Sequence, residues 1–379
     1  MNFKLTKEQE MIRKMVREFA EKEIEPIAEE LDAEERFPEE TIPKMARLNL
    51  LGLTIPKEYG GVSIDGISYA IVIEEISRVC ASTGVITAVH NSIAPFPIIK
   101  YGTEEQKKKY LPKLASGEYL GAFSLTEPNA GTDAGGLQTT AELDGDEYVL
   151  NGTKIFVTNG PQAGVTTVLA KTDKDKGARG ISAFLVERDT PGFSIGVLET
   201  KMGIRGSHQC ELVFENCRIP KENLLGKEGM GFKIAMEGLD HGRVGIAAQA
   251  VGIAQGALDE SVKYAKEREQ FGRPLAKFQA IQWFLADMET EIQAARFLVY
   301  NAAAKKTEGK RFSKEAAMAK LFASETANRV VNKAVQIHGG YGYTRDYPVE
   351  RYFRDAKITE IYEGTSEVQR MVISGSLLH

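Results

Sequence analysis

The hydrophobic repeat of this chain changes twice, which limits its possible folds more than any single motif does. From Leu5 to about Gly117 the apolar residues recur at helical intervals: Leu5, Met11, Met15, Phe19 and Ile27 alternate with Glu and Lys. Ala70–Val79 is a second apolar helix candidate, and Ser92–Ile99 carries Pro95 and Pro97, which predict a bend in a buried region. From about Gly121 to Gly226 short runs rich in Val, Thr and Tyr take over. Asp144-Gly145 and Asn151-Gly152 supply the positive φ of tight hairpin turns. Thr166–Ala170, Ile181–Val186, Phe193–Val197 and Cys210–Phe214 continue an antiparallel meander that suits a sandwich or barrel. From Gly231 the helical period returns. Val244, Ala248, Val251, Leu258, Val262 and Ala265 form one face, and Leu285, Met288, Ile292, Ala295 and Val299 another, the seam of an antiparallel bundle. An α+β fold class follows. Its three expected domains are an N-terminal helical one (1–120), a central antiparallel β one (121–230) and a C-terminal helical bundle (231–379).

With 379 residues the chain is long for one core, consistent with several packed units. A net charge of −5 and the lack of a basic stripe argue against a nucleic-acid partner. The short run Lys107–Lys109 reads as a solvated helix face. Cys80, Cys210 and Cys217 have neither zinc nor redox spacing, so free thiols in a reducing compartment and no metal are expected. No apolar stretch is long enough to span a membrane. Met1-Asn2-Phe3-Lys4 leads into a charged helical pattern without the features of a signal or transit peptide, so the cytoplasm is the expected location.

Four segments could carry chemistry. Leu125-Thr126-Glu127-Pro128-Asn129-Ala130-Gly131-Thr132-Asp133 is a loop of small and hydroxyl residues whose backbone N–H groups can approach a ligand. Ile337-His338-Gly339-Gly340-Tyr341-Gly342-Tyr343 suits a backbone passing close to a phosphate or another chain, but lacks the strand–GxGxxG–helix setting of a Rossmann fold. Arg268-Glu269-Gln270-Phe271-Gly272-Arg273-Pro274 ends a long helix with an arginine able to grip a carboxylate or pyrophosphate. Glu363 lies in a turn before a short amphipathic helix, for which Ser366 and Gln369 match a capping box. Read alone, each has an ordinary explanation: a plain turn, a helix C-cap, an arginine on a helix terminus, or a carboxylate on a helix dipole.

Taken together and in order, Ala122–Asp133 and Gln336–Glu367, separated by the β-rich segment, resemble the two signatures of the acyl-CoA dehydrogenase family. The resemblance covers essentially the whole chain and is strongest to bacterial short-chain (butyryl-type) members. It implies a C-terminal four-helix domain, an FAD cofactor and an acyl-CoA substrate. Glu363 is then the base that removes the α-proton. Phe123, Ser124, Leu125 and Thr126 contact the flavin, with Phe156, Val157 and Thr158 opposite them and Thr158 at the N5 edge. Thr132 lies at the cofactor and the CoA moiety. Asp240, Arg243, Tyr362 and Gly364 border the substrate. Arg268, Gln270, Phe271, Gln279, Gln336, Ile337, His338, Gly339 and Gly340 reach FAD bound to a neighbouring subunit, and Thr365, Ser366 and Glu367 border its phosphate-ribose portion. A homo-oligomer, usually a dimer of dimers, and an electron-transferring flavoprotein as electron acceptor are implied in the same way. Phe156 stands where many members carry tryptophan. Gly242 stands where some carry an alternative glutamate base, which leaves Glu363 for the role.

The reaction this implies is α,β-dehydrogenation to the trans-2-enoyl-CoA. Pro95 and Ile99 are expected to make the acyl pocket shallow, which favours butyryl-CoA, and His90 and Asn91 are expected to make satisfied structural hydrogen bonds. A branched or alicyclic acyl-CoA and an oxygen-using acyl-CoA oxidase are alternatives built on the same residues. A non-catalytic CoA-ester-binding flavoprotein leaves Glu363, Thr126, Thr158 and Arg268 without a purpose.

Overall fold

The computed structural model describes residues 4–378; Met1-Asn2-Phe3, which open the leader reading above, lie outside it. Helix α1 (Lys7–Phe19) begins at a capping box in which Thr6 and Gln9 satisfy each other's backbone N–H groups. After α2 (Ala28–Ala33) and α3 (Thr41–Arg47) come two almost fully buried helices, α4 (Gly66–Val79) and α5 (Ala81–Asn91). The expected bend separates α5 from α6 (Phe96–Tyr101), and α7 (Glu104–Ser116) starts at a second capping box, Thr103 with Gln106. His90 and Asn91 are structural. His90 Nε2 lies 3.0 and 3.1 Å from the carbonyls of Leu51 and Leu114 while Nδ1 accepts from Gly121 N–H. Asn91 accepts from Leu53 N–H and donates to Leu50 O and Thr87 O.

The middle of the chain forms β1 (Leu120–Ser124), β2 (Thr140–Asp144), β3 (Glu147–Thr158), β4 (Ala163–Lys171), β5 (Ile181–Glu187), β6 (Phe193–Leu198), β7 (Gln209–Pro220) and β8 (Leu224–Leu225). They pair in the order β6-β7-β3-β2-β4-β5-β8, with β1 also on β4. β2 meets β4 only at Thr140–Lys171, and the buried faces of β3 and β7 (Val157, Leu212) share one apolar cluster with those of β4 and β5 (Val168, Phe184), as in a sandwich or barrel. Asp144-Gly145 does turn a hairpin, since Asp144 pairs with Glu147. Asn151-Gly152 does not. It lies inside β3, where the register against β7 skips between Leu150 and Gly152, so the positive φ of Gly152 serves a bulge. The meander is also interrupted at β1, which joins β4 in parallel.

The last third consists of α8 (Gly231–Glu267), a two-stranded ribbon of β9 (Glu269–Gln270) and β10 (Arg273–Pro274), α9 (Gln279–Thr307), α10 (Ser313–His338), α11 (Val349–Lys357) and α12 (Ser366–Leu378). The seam residues of α8 and α9 are buried, apart from half-buried Val262 and Leu285. Their core is shared: Ile73 and Ile76 of α4 and Val85 of α5 belong to the same apolar cluster as Val251, Met288 and Val330. The two helical zones are thus separate in chain order but continuous in packing. Glycines make this possible, because a Cβ at Gly252 would meet Ser77 Cβ at 2.8 Å and Arg78 N at 3.1 Å. The three cysteines are free and buried. Among the described residues no helix is long and apolar enough to cross a membrane, and no His, Cys, Asp and Glu cluster could hold a metal.

Candidate active site

Glu363 follows a single 3-10 turn, Ile358–Glu360, and precedes α12. Its φ is +53°, in the left-handed region that costs a non-glycine residue about 1–3 kcal/mol and persists only where surroundings impose it. Here three elements grip the turn by its carbonyls. Arg243 of α8 donates to Glu363 O at 3.3 Å, Lys320 of α10 to Gly364 O at 2.8 Å, and Gln369 of α12 to both, at 3.2 and 2.7 Å. Arg243 is fixed in turn by Asp240 at 2.7 Å, which also accepts from Ser313. Tyr362 donates its hydroxyl to Gln249, whose amide bonds Ala81 O. The capping-box reading of Ser366 and Gln369 fails. Thr365 is the residue whose hydroxyl accepts from Val368 N–H, Ser366 Oγ is buried without a partner, and the Gln369 amide is spent on the turn.

Glu363 as a residue is half-buried, but its Oε2 is out of solvent and has no hydrogen-bond partner. Burial pushes its carboxyl up to about 7, opposed by the positive charges of Arg243 and Lys320. The carboxylate faces Gly242, where a Cβ would sit 2.7 Å from Glu363 Cδ. The same face of α8 meets Ile93 and Phe96 at Gly238, and Tyr69 and Ala88 at Gly245. Ile99 is half-buried against the cluster of Ile98, Tyr110 and Leu111.

A second group gathers at the sheet. Phe123 and Ser124 end β1; Phe156, Val157 and Thr158 end β3; and Ile155 N–H donates to Thr126 O at 2.9 Å, tying the two segments together. Phe156 is 58% exposed at φ +56°, so an aromatic ring is held out to solvent by strained backbone. Beneath them Lys154 and Glu127, both buried, pair at 2.8 Å. Lys154 also donates to Leu125 O, and Glu127 accepts from the N–H groups of Gln138 and Thr139. Thr158 accepts from the Gln209 amide, Val157 is in the core, and Thr132 lies on an exposed loop.

The third group lines a pocket of about 490 Å³ at the far ends of α8 and α10: Arg268, Gln270, Ile337, His338, Gly339 and Gly340, with Tyr264 and Tyr341. Phe271 beside it is 94% exposed at φ +53°. Gln279 and Gln336 are exposed nearby in sequence, on α9 and α10. Arg268 is 25 residues beyond Arg243 along one helix, about 38 Å at 1.5 Å per residue. One ligand molecule does not touch both in the same chain.

Three family models match in succession: the acyl-CoA dehydrogenase N-terminal domain over residues 6–118, the middle domain over 122–217 and the C-terminal domain over 229–378. The chain belongs to the acyl-CoA dehydrogenase family. It is 58% identical over 377 residues to the short-chain-specific acyl-CoA dehydrogenase of Clostridium acetobutylicum, covering 100% of both chains. Among solved structures it is similar to butyryl-CoA dehydrogenase of Megasphaera elsdenii, at TM-score 0.98 and 51% identity over 100% of both chains. It also resembles an acyl-CoA dehydrogenase of Bacillus anthracis complexed with FAD, at TM-score 0.92 and 38% identity, covering 99% of this chain and 67% of the other. Within this acyl-CoA dehydrogenase the motif reading missed Lys320, Gln249 and Lys154, and took Gln369 for a capping residue. Only Lys320 left a trace: it lies at a helical spacing with Ala316, Ala323 and Ala327, a lysine on a stripe that is otherwise apolar.

Proposed function

We propose that the chain dehydrogenates a short-chain acyl-CoA, butyryl-CoA above all, to the trans-2-enoyl-CoA, with Glu363 as the base. The observation that carries this reading is the clamped left-handed turn, which presents an unpartnered carboxylate of near-neutral pKa at a glycine face of α8. A base of pKa near the working pH combines ionised population with proton affinity. A thioester's α-proton is still too weakly acidic for such a base alone, so charge developing on the thioester oxygen needs a donor. Among the described residues the N–H of Glu363 makes no hydrogen bond, and one donor of this kind contributes about 3 kcal/mol in comparable sites. Asp240, Arg243, Tyr362 and Gly364 border the same space and orient the substrate.

FAD, when bound, accepts the hydride that leaves the β-carbon. The chain fits that cofactor. Ser124 Oγ and Ser366 Oγ are buried without partners, Phe156 presents a ring beside Thr158, and Gly339 and Gly340 leave open space at the Arg268 pocket. Phe123, Leu125, Thr126, Thr132, Phe156, Val157 and Thr158 are assigned to the flavin, and Thr365, Ser366 and Glu367 to its phosphate-ribose part. The 38 Å separation along α8 supports assigning Arg268, Gln270, Phe271, Gln279, Gln336, Ile337, His338, Gly339 and Gly340 to the FAD of a neighbouring copy, hence an oligomer, which we take to be a dimer of dimers. Family membership supports electron-transferring flavoprotein as the acceptor. Buried free thiols support the cytoplasm, and the matched family segments support domains at 1–120, 121–230 and 231–379.

The test is anaerobic flavin bleaching by straight, branched and alicyclic acyl-CoAs, in wild type and Glu363→Gln. Butyryl-CoA should bleach the wild type fastest, and Glu363→Gln should keep its FAD and bind the ligand with turnover reduced to a trace. A Glu363→Gln enzyme that bleaches at the wild-type rate would remove Glu363 from the role.

A further inference from the structure

Two cations face the Glu363 carboxylate, and they are not equivalent. Arg243 of α8 has its own carboxylate, Asp240, at 2.7 Å. Lys320 of α10 is fully buried, has no carboxylate within ion-pair distance among the described residues, and spends one ammonium proton on Gly364 O at 2.8 Å. Burying an ammonium without a counter-charge is costly, so such groups are normally found paired or neutral. The largest favourable charge acting on Lys320 is Glu363 itself, with Glu360 and Glu367 smaller. The remaining ionisable neighbours, Tyr69 of α4 and Tyr362 of the turn, are hydroxyls that burial keeps neutral. Glu363, for its part, has a buried oxygen without a hydrogen-bond donor. Glu363 is the main counter-charge of Lys320, while Glu363 itself is acted on by both Arg243 and Lys320.

We propose that Lys320 is a positioning residue for the base: it holds the left-handed turn through Gly364 O and supplies an unneutralised positive charge that favours the ionised form of Glu363. This rests on Glu363 being the base, but is separable from it. Arg243 also favours the charged form of Glu363, more strongly than Lys320 does, but it is paired with Asp240 at 2.7 Å, so Lys320 is the cation at this carboxylate with no ion-pair partner of its own among the described residues. Removing the Lys320 charge while keeping its bulk leaves Glu363 in the same burial with less to oppose protonation, so its titration should move up. An opposite charge a few ångströms away is worth about 1–3 pH units to a carboxylate.

The test follows the protonated-carboxyl infrared band of Glu363 against pH in the FAD-loaded enzyme, with Glu363→Gln as the subtraction reference, and the acid limb of kcat/KM with butyryl-CoA. In Lys320→Met both should move to higher pH by about one unit or more; Lys320→Arg should leave both near wild type. A Lys320→Met enzyme with a uniformly lowered rate but a wild-type Glu363 titration would show a structural role only and overturn the proposal. If the methionine variant does not fold, Lys320→Gln gives the same readout, and an unmoved titration there overturns it equally. An active Glu363→Gln would instead strike the base assignment, whatever Lys320 does.

Discussion

Gly242→Ala separates the placement of the base from the stability of the fold. A methyl at 242 would lie 2.7 Å from Glu363 Cδ and 2.8 Å from Oε1, with Oε2 nearer still, whereas ordinary contact begins at 3.4 Å. The carboxyl carbon must therefore retreat by 3.4 − 2.7 = 0.7 Å, and Oε2 by more. The obstacle is the free end of a side chain, which can swing away, so the fold need not yield. A displacement of about 1 Å at a reacting group costs on the order of 100-fold in rate. Replacing glycine by alanine inside a helix meanwhile contributes about 0.5–1 kcal/mol of stability. The variant should thus melt no lower than wild type and bind FAD normally, yet bleach with butyryl-CoA about 100 times more slowly. Gly252→Ala is the control on the same helix. Its methyl meets backbone and Cβ atoms of α4, which cannot swing aside, so it should lose about 1–3 kcal/mol in urea unfolding. A Gly242→Ala enzyme with wild-type bleaching would mean that Glu363 does not work from the position described.

Glu363→Gln should also change how stability depends on pH. Because the folded-state pKa of Glu363 is raised to about 7, the native protein binds this proton more tightly than the unfolded chain, and its contribution to stability falls as pH rises from the unfolded value of 4.5 to about 7. The melting temperature of Glu363→Gln relative to wild type should therefore rise between pH 5 and 8; a constant difference contradicts the shift. Lys154→Met leaves Glu127 buried and unpaired and should cost about 3–5 kcal/mol in urea unfolding, so a loss below about 1 kcal/mol would refute the buried pair. Phe156→Gly relieves a strained φ and removes an exposed ring, so the apoprotein should stay within about 1 kcal/mol of wild type while FAD dissociates more readily. Unchanged FAD retention would detach Phe156 from the flavin.

Much of the architecture is legible from periodicity. The two apolar faces of α8 and α9, the Asp144-Gly145 hairpin and the bend after α5 follow from spacing and turn chemistry. The failures share a cause. Asn151-Gly152 has the local chemistry of a hairpin, and only its pairing with β7, some sixty residues away, makes it a bulge. The parallel docking of β1 on β4 and the common core of α4 and α8 are likewise non-local, and no window of sequence contains both partners. Ser366 looked like a cap because Ser followed by Gln three residues later fits one. Tertiary contact redirected Gln369 to the carbonyls of 363 and 364.

The site itself marks where local rules are broken. Five of the non-glycine residues with positive φ are bulky, Glu35, Phe156, Ile204, Phe271 and Glu363, and three of these, Phe156, Phe271 and Glu363, each belong to a different one of the three motif groups. A strained residue persists only if its surroundings over-determine it. At Glu363 those surroundings are three carbonyl clamps from α8, α10 and α12, and at Phe156 the Lys154–Glu127 pair and the Ile155–Thr126 bond lie directly beneath. The motifs name the residues assigned to ligand, while those that hold Glu363 and Phe156 in strained conformations are arginine, lysine and glutamine side chains scattered along the chain. Lys320 and Lys154 carry no motif because nothing about their neighbours in sequence is special; their role exists only once the fold has surrounded them. For the same reason the proposed base could be chosen from sequence, but Lys320, the charge proposed to favour its ionisation, could not.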